Sequence, residues 1–132
     1  MDELSERARA LVDEPNLAFL ATLNADGSPQ VSAVWIDRDG GALVVNTAAG
    51  RVKDRNMRRD PRVAVSIAAR EEPYERIDIR GRVVDIVEGD EAERHIEKLA
   101  QKYLDRDTYP GRKGAERRVL FKIRPERVDT RP

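Results

Sequence analysis

Residues 17–47 read LAFLATL-NADGSP-QVSAVWI-DRDGG-ALVVNT, and this stretch decides the fold. Three runs rich in apolar and β-branched residues, Leu17–Leu23, Gln30–Ile36 and Ala42–Thr47, are each about a strand long. The clusters between them carry Asp26-Gly27 and Asp39-Gly40. Asp-Gly between two such runs signals a hairpin, because glycine supplies the positive φ of a tight turn. The stretch predicts an antiparallel meander of three strands.

Outward from it, Leu4, Ala8, Leu11 and Val12 sit at helical spacing before Pro15, so residues 3–13 predict a short amphipathic helix. Downstream, residues 51–60 are polar and basic, with Val52 and Met57 as a thin apolar face and Pro61 as a stop. They predict a second short helix. Residues 63–68 and 77–87 predict two further strands. In the latter, Ile77, Ile79, Gly81, Val83 and Val87 share a face that Asp85 interrupts. Gly81 marks a bulge or a close backbone approach. Residues 90–104 predict a long helix with the stripe Ala92, Ile96, Leu99, Ala100, Tyr103 and Leu104, and with His95 on the flank of that stripe. A loop over 105–114 leads to a last strand over 118–124, stopped by Pro125. Six strands and two or three peripheral helices predict a mainly β fold, a small six-stranded barrel, as one domain over residues 1–132.

Composition excludes several chemistries. Basic and acidic residues number 25 each, so no net charge draws the chain to nucleic acid or to an anionic membrane. Without cysteine there is no thiolate nucleophile, disulfide or cysteine-bound metal, and one histidine cannot make a histidine dyad or a histidine-rich metal site. No apolar run is long enough to span a bilayer and the charged N-terminus is not a signal peptide, so the expected location is cytoplasmic. No catalytic side chain and no metal ligand set is predicted. Any chemistry is expected to come from a borrowed molecule.

The most informative stretch for a site is Asn46-Thr47-Ala48-Ala49-Gly50-Arg51-Val52-Lys53-Asp54-Arg55-Asn56. A strand ends in polar side chains, small residues follow, and a helix opens with Arg51, Lys53 and Arg55 in its first turns. Helix N-termini expose unpaired N–H groups and attract anions. Cations placed there oppose the helix dipole unless an anion is bound, and a phosphate site predicts that local conflict. The other reading of the same residues is a solvated basic helix balanced by Asp54 and Asp60. Trp35 is the sole tryptophan, and it lines an aromatic pocket, lies at an interface or is buried in the core. Arg117-Arg118 reads as a charge guard on an edge strand or as a contact for an anionic tail.

Two segments at this spacing carry a family resemblance. Leu20-Ala21-Thr22-Leu23, Asp26-Gly27-Ser28-Pro29-Gln30-Val31-Ser32 and Val34-Trp35 resemble the first hairpin of the pyridoxamine 5'-phosphate oxidase-like split barrels. Arg51-Val52-Lys53-Asp54-Arg55-Asn56-Met57-Arg58-Arg59-Asp60-Pro61-Arg62 resembles that family's cofactor-phosphate helix. The match, over roughly residues 15–130, is closest to the deazaflavin (coenzyme F420)-dependent oxidoreductases. It implies a split-barrel homodimer with two cofactor sites in the dimer grooves. It also implies coenzyme F420, or FMN as the alternative, with Arg51 and Lys53 on the phosphate, helped by Thr47 and Asn56, and with Asn46 and Val52 also among the cofactor-binding residues. Backbone of Ser32, Ala33, Val34 and Trp35 would flank the ring, and Arg80 and the Tyr109 loop would complete the site, from the partner chain. The implied activity is hydride transfer between reduced deazaflavin and a small organic substrate. An FMN-dependent oxidoreductase and a non-catalytic flavin- or deazaflavin-binding protein are the alternatives. The tryptophan motif and substrate arginines of true pyridoxamine-phosphate oxidases do not appear after Arg124, so vitamin B6 oxidation is not expected.

Overall fold

The computed structural model describes residues 3–111 and 114–131. Met1, Asp2, Pro132, and Arg112 and Lys113 of the expected 105–114 loop, lie outside the described residues. The elements follow as α1 (Glu6–Asp13), β1 (Ala18–Leu23), β2 (Pro29–Val34), β3 (Ile36–Asp39) and β4 (Ala42–Ala48), then α2 (Val52–Arg59), β5 (Arg62–Ala68), β6 (Arg76–Glu88), α3 (Asp90–Leu104) and β7 (Arg118–Arg131).

All the described strands form one antiparallel sheet in the order β2-β1-β5-β6-β7-β4-β3. There are seven where six were expected, because the run 30–36 divides. Val34, at the end of β2, pairs with Ala18 of β1, whereas Ile36, at the start of β3, pairs with Val45 of β4. These pairings lie at opposite ends of the sheet, yet only Trp35 separates them. A flat sheet of this order would hold its edge strands roughly 29 Å apart. Two Cα steps reach only about 7.6 Å. The sheet therefore curls until its two ends meet at Trp35.

The inside of the curl is the core. Leu20, Ile36, Leu43, Val45, Ile67, Ile77, Ile79, Phe121 and Ile123 form one buried cluster, into which α1 inserts Ala8, Leu11 and Val12. Ser5 caps α1, its hydroxyl accepting the Ala8 N–H at 3.1 Å. The opposite face of β4 lies under α3, where Ala92 packs on Val44 and Leu120. Covered on both faces, β4 reads as a nearly continuous apolar run instead of alternating. Asn46 is the polar residue on its α3 side.

Pro125 does not end the last strand. β7 continues to Arg131, and Pro125 stands opposite Gly81, next to a register shift between Arg80 and Gly81. Proline is tolerated at such a bulge, where the ladder is already interrupted. Gly81 also meets the second expectation, close approach: a Cβ there would lie 2.7 Å from the Arg124 carbonyl oxygen. A further register shift between Val83 and Asp85 turns Asp85 out to solvent, which explains its place in an otherwise apolar alternation.

Candidate functional site

The curl brings the β2 end of the sheet beside the N-terminus of α2. Between β4 and α2, Gly50 takes φ 91°, which a side chain would strain. Its N–H donates to Asp54 Oδ2 at 2.8 Å, while Asp54 Oδ1 accepts from Arg58 Nε at 2.8 Å. Asp60 is taken by Arg62. Both carboxylates that would balance a solvated basic helix thus already have partners, Asp54 in Gly50 and Arg58 and Asp60 in Arg62. Arg51, the N-cap, makes no side-chain cap bond, and among the described residues neither Arg51 nor Lys53 has an ion-pair partner.

A groove of about 180 Å³ opens there. It is lined by Leu17, Ala33, Val34 and Trp35 from the β2 end, by Asn46, Thr47, Arg51, Lys53 and Arg118, and by Ile96 and Tyr109. Burial, and then the neighbouring Arg51 and Arg118 charges, push the Lys53 pKa below its ordinary value. Three cations therefore converge on one space, Arg118 paired with Glu116 and the other two without an ion-pair partner among the described residues. Trp35 stacks on Tyr103 with ring centroids 5.2 Å apart and meets Tyr109 edge-on at 5.8 Å. Tyr103 is itself fixed, its hydroxyl donating to the Asn16 carbonyl at 2.6 Å and accepting the Ile36 N–H at 3.0 Å. Burial pushes its pKa up to about 12.

Of the residues implicated by sequence, Ala33, Val34, Trp35, Asn46, Thr47, Arg51 and Lys53 share this groove. Four others do not line it. Ser32 sits one position earlier on β2 with its hydroxyl buried and without a hydrogen-bond partner. Val52 is exposed on α2. Asn56 turns away: its amide donates to Thr22 Oγ1 at 3.0 Å and Asn24 Oδ1 at 2.9 Å, tying α2 to the end of β1. Arg80 is exposed on β6, beside a separate depression that includes Phe19, Val31 and Ala64.

Two residues stand where the sequence did not put them. Arg118 cannot guard an edge, because β7 lies between β6 and β4, and it is only 5 % exposed in the groove wall. Its Nε donates to Asn46 Oδ1 at 2.9 Å, and Nη1 pairs with Glu116 at 2.7 Å. His95 lies within the buried face of α3, not beside it. Ala92, His95, Ile96 and Leu99 follow i, i+3, i+4, i+7 spacing, and the His95 side chain is 9 % exposed. Its ring nitrogens meet Asn46 Nδ2 at 3.1 Å and Asp37 Oδ2 at 3.0 Å. Burial alone would raise the Asp37 pKa, but hydrogen bonds from His95, the Arg38 N–H and Lys98 hold this carboxyl well below the usual carboxylate range. Pairing of Asp37 with Val44 and of Asn46 with Leu120 places both side chains on the α3 side of the sheet.

The sequence profile of the pyridoxamine 5'-phosphate oxidase family matches residues 4–131. The chain belongs to that family. Within this oxidase-like fold, a solved F420 reductase is 33% identical over 92% of this chain and 94% of its own, with a TM-score of 0.79. A conserved hypothetical protein from Mycobacterium tuberculosis is 25% identical over 96% and 84% of the two chains, TM-score 0.76. The heme storage protein HutZ of Vibrio cholerae, 17% identical over 98% and 96%, shares the fold at a TM-score of 0.68. The family fold is here mainly β with three helices among the described residues, none of them long and apolar enough to cross a membrane.

Proposed function

We propose that this chain binds a deazaflavin of the coenzyme F420 type and serves hydride transfer to or from a small organic substrate. The observation that carries the reading is the convergence of Arg51, Lys53 and Arg118, without acidic neutralisation among Arg51 and Lys53, on a groove walled by Trp35 and Tyr109. That donor set fits a molecule with an anionic phosphate at one end and a flat ring at the other. The likeness to an F420 reductase supports the deazaflavin over FMN. The sole histidine has both ring nitrogens engaged and so offers no imidazole to a heme iron.

Each residue then has a physical task. Arg51 and Lys53 hold the phosphate at the helix N-terminus, where the dipole adds to their charge attraction once the anion is present. Arg118 closes the same anion pocket from β7. β2 is an edge strand, so half of its backbone N–H and C=O groups remain available to a ring lying along Ala33–Trp35. When bound, the deazaflavin supplies two-electron hydride chemistry that no side chain here provides. Among the described residues the groove is lined by no carboxylate or histidine, and solvent delivers the accompanying proton.

The groove is small beside the roughly 300–1,000 Å³ that encloses a drug-sized ligand. One chain therefore covers only part of a flavin-sized molecule, and a second copy completes the site. Leu17, Phe19 and Val31 are 48 %, 49 % and 62 % exposed next to the groove, and this apolar band is where the partner docks. Arg80, on the adjoining face, is then carried to the partner's groove.

The test is a parallel titration of the purified protein with F420 and with FMN, read by Trp35 fluorescence, followed by turnover of an acceptor panel with the reduced cofactor. Micromolar deazaflavin binding with weaker FMN binding and measurable turnover is expected. Preference for FMN, binding without turnover, or binding of neither each refutes a named part of the proposal: the cofactor, the reaction and the site respectively.

A further inference from the structure

A buried polar chain runs from the groove wall to the surface, and its donors and acceptors leave one arrangement. Arg118 Nε can only donate, so the atom 2.9 Å from it is Asn46 Oδ1. The two hydrogens of Asn46 Nδ2 then point to the Ala92 carbonyl at 2.9 Å and to His95 Nδ1 at 3.1 Å. His95 Nδ1 therefore accepts, and the ring's one hydrogen sits on Nε2, donating to Asp37 Oδ2 at 3.0 Å. Asp37 also accepts the Arg38 N–H at 2.8 Å and Lys98 Nζ at 3.1 Å. The chain has no slack: every proton on it has one place.

From this we infer that neutral His95 is a positioning residue for Arg118, holding the guanidinium at the anion pocket through Asn46, and that a proton on Nδ1 releases that hold. With Nδ1 protonated, two donors face each other across 3.1 Å. Relief requires the Asn46 amide to reverse, which presents Nδ2 to Arg118 Nε and creates a second donor pair. Arg118 then keeps Glu116, at 2.7 Å, and loses Asn46. It turns from its place over the Tyr109 ring, 5.2 Å from the centroid. The charged groups along this chain come from each neighbouring element: Asp37 from β3, Lys98 and Lys102 from α3 beside Asp37, Glu93 from α3 and Glu116 beside Arg118 of β7, and only neutral Asn46 from β4.

The inference rests on the reading of the groove as an anion site, and its sign separates it from plain electrostatics. An added positive charge near a cationic groove strengthens anion binding by Coulomb attraction, whereas release of Arg118 weakens it. The probe is sulfate, which does not change charge across the range in which histidine titrates. The chain has one histidine, so its imidazole nitrogen resonances need no assignment.

In sulfate-free wild-type protein at about pH 8, nitrogen NMR should show the Nε2–H tautomer; the Nδ1–H tautomer overturns the inference without any variant being made. Sulfate affinity should then fall by about threefold or more between about pH 8 and about pH 6, following the His95 resonances. In His95→Asn, whose Oδ1 can accept from Asn46 and does not titrate, the fall should vanish with affinity retained. His95→Phe, with no acceptor, should bind weakly at every pH. Affinity that is flat, or that rises on acidification equally in wild type and His95→Asn, overturns this inference while leaving the anion site standing. Absence of sulfate binding at any pH overturns the anion-site reading itself, and this inference with it.

Discussion

Replacing Lys53 by Met separates the function of the groove from its stability, because the two move in opposite directions. Lys53 is half-buried beside Arg51 and Arg118, and its pKa is lowered by desolvation first and by those two charges next. A lowered pKa means that folding disfavours the charged form, so stability increases as pH rises through the folded-state value. Methionine keeps the aliphatic stem and removes the charge. The ligand-free variant should therefore melt at the wild-type temperature or above it. Binding responds the other way. A charge-assisted contact to phosphate contributes about 1.5–3 kcal/mol, so deazaflavin affinity should fall by roughly 10- to 150-fold. Arg51→Ala should act similarly. Since both side chains hold the same phosphate, the double variant should lose less than the sum of the two. Calorimetric titration with F420 and thermal melts of the free proteins read both quantities. A lower melting temperature with unchanged affinity would show that Lys53 serves the fold and that the helix N-terminus holds no anion.

Three further outcomes follow from particular contacts. Gly81→Ala should lose about 1–3 kcal/mol in urea unfolding, because its Cβ would sit 2.7 Å from a backbone oxygen that cannot move without shifting β7; a neutral result would mean the bulge yields freely. Asp37 has a depressed folded-state pKa, so the stability it contributes is present above the ordinary carboxylate value of 3.8 and is lost as pH falls below it. Asp37→Asn should flatten the acid limb of the stability profile, and an acid limb of unchanged slope would refute the contribution. Val31→Glu, which places a charge in the exposed apolar band, should shift the sedimenting species from dimer to monomer and weaken deazaflavin binding together; a wild type that sediments as a monomer removes the two-copy site.

Local signals made much of the fold legible. The Asp-Gly turns at 26–27 and 39–40, the alternation of Ile77 and Ile79, and the stripe of α3 each depend on neighbours within a few residues. The misreadings share a different cause. The division at Trp35 is not local: Gln30–Ile36 reads as one strand, and only pairing with β1 on one side and β4 on the other shows it as two. Pro125 reads as a stop unless its partner, Gly81, is known to sit at a bulge. Arg118 reads as an edge charge because nothing in its own strand reveals that β4 and β6 flank it. For the same reason His95 looks incidental until Asp37 and Asn46, 58 and 49 positions away, are placed around it.

The candidate site was half visible because it has two kinds of residue. Arg51 and Lys53 announce themselves by local conflict: cations in the first turn of a helix oppose the dipole, and only Asp54 and Asp60 are near enough in sequence to balance them. The structure sharpens that argument, since the acids that could have relieved them, Asp54 and Asp60, are bound to Arg58 and Arg62. Arg118 and its supports follow no local rule. They are assembled by the pairing of β4 with β7 and the packing of α3 on both, while the curl brings Trp35 to the same groove. A groove whose charged end is written locally and whose far wall and orienting contacts are written in topology should tolerate changes differently at its two ends. Substitutions at Arg51 or Lys53 should alter affinity and leave the fold intact. Substitutions at Asn46 or Arg118, both less than a tenth exposed and bonded to each other, should alter affinity and stability together.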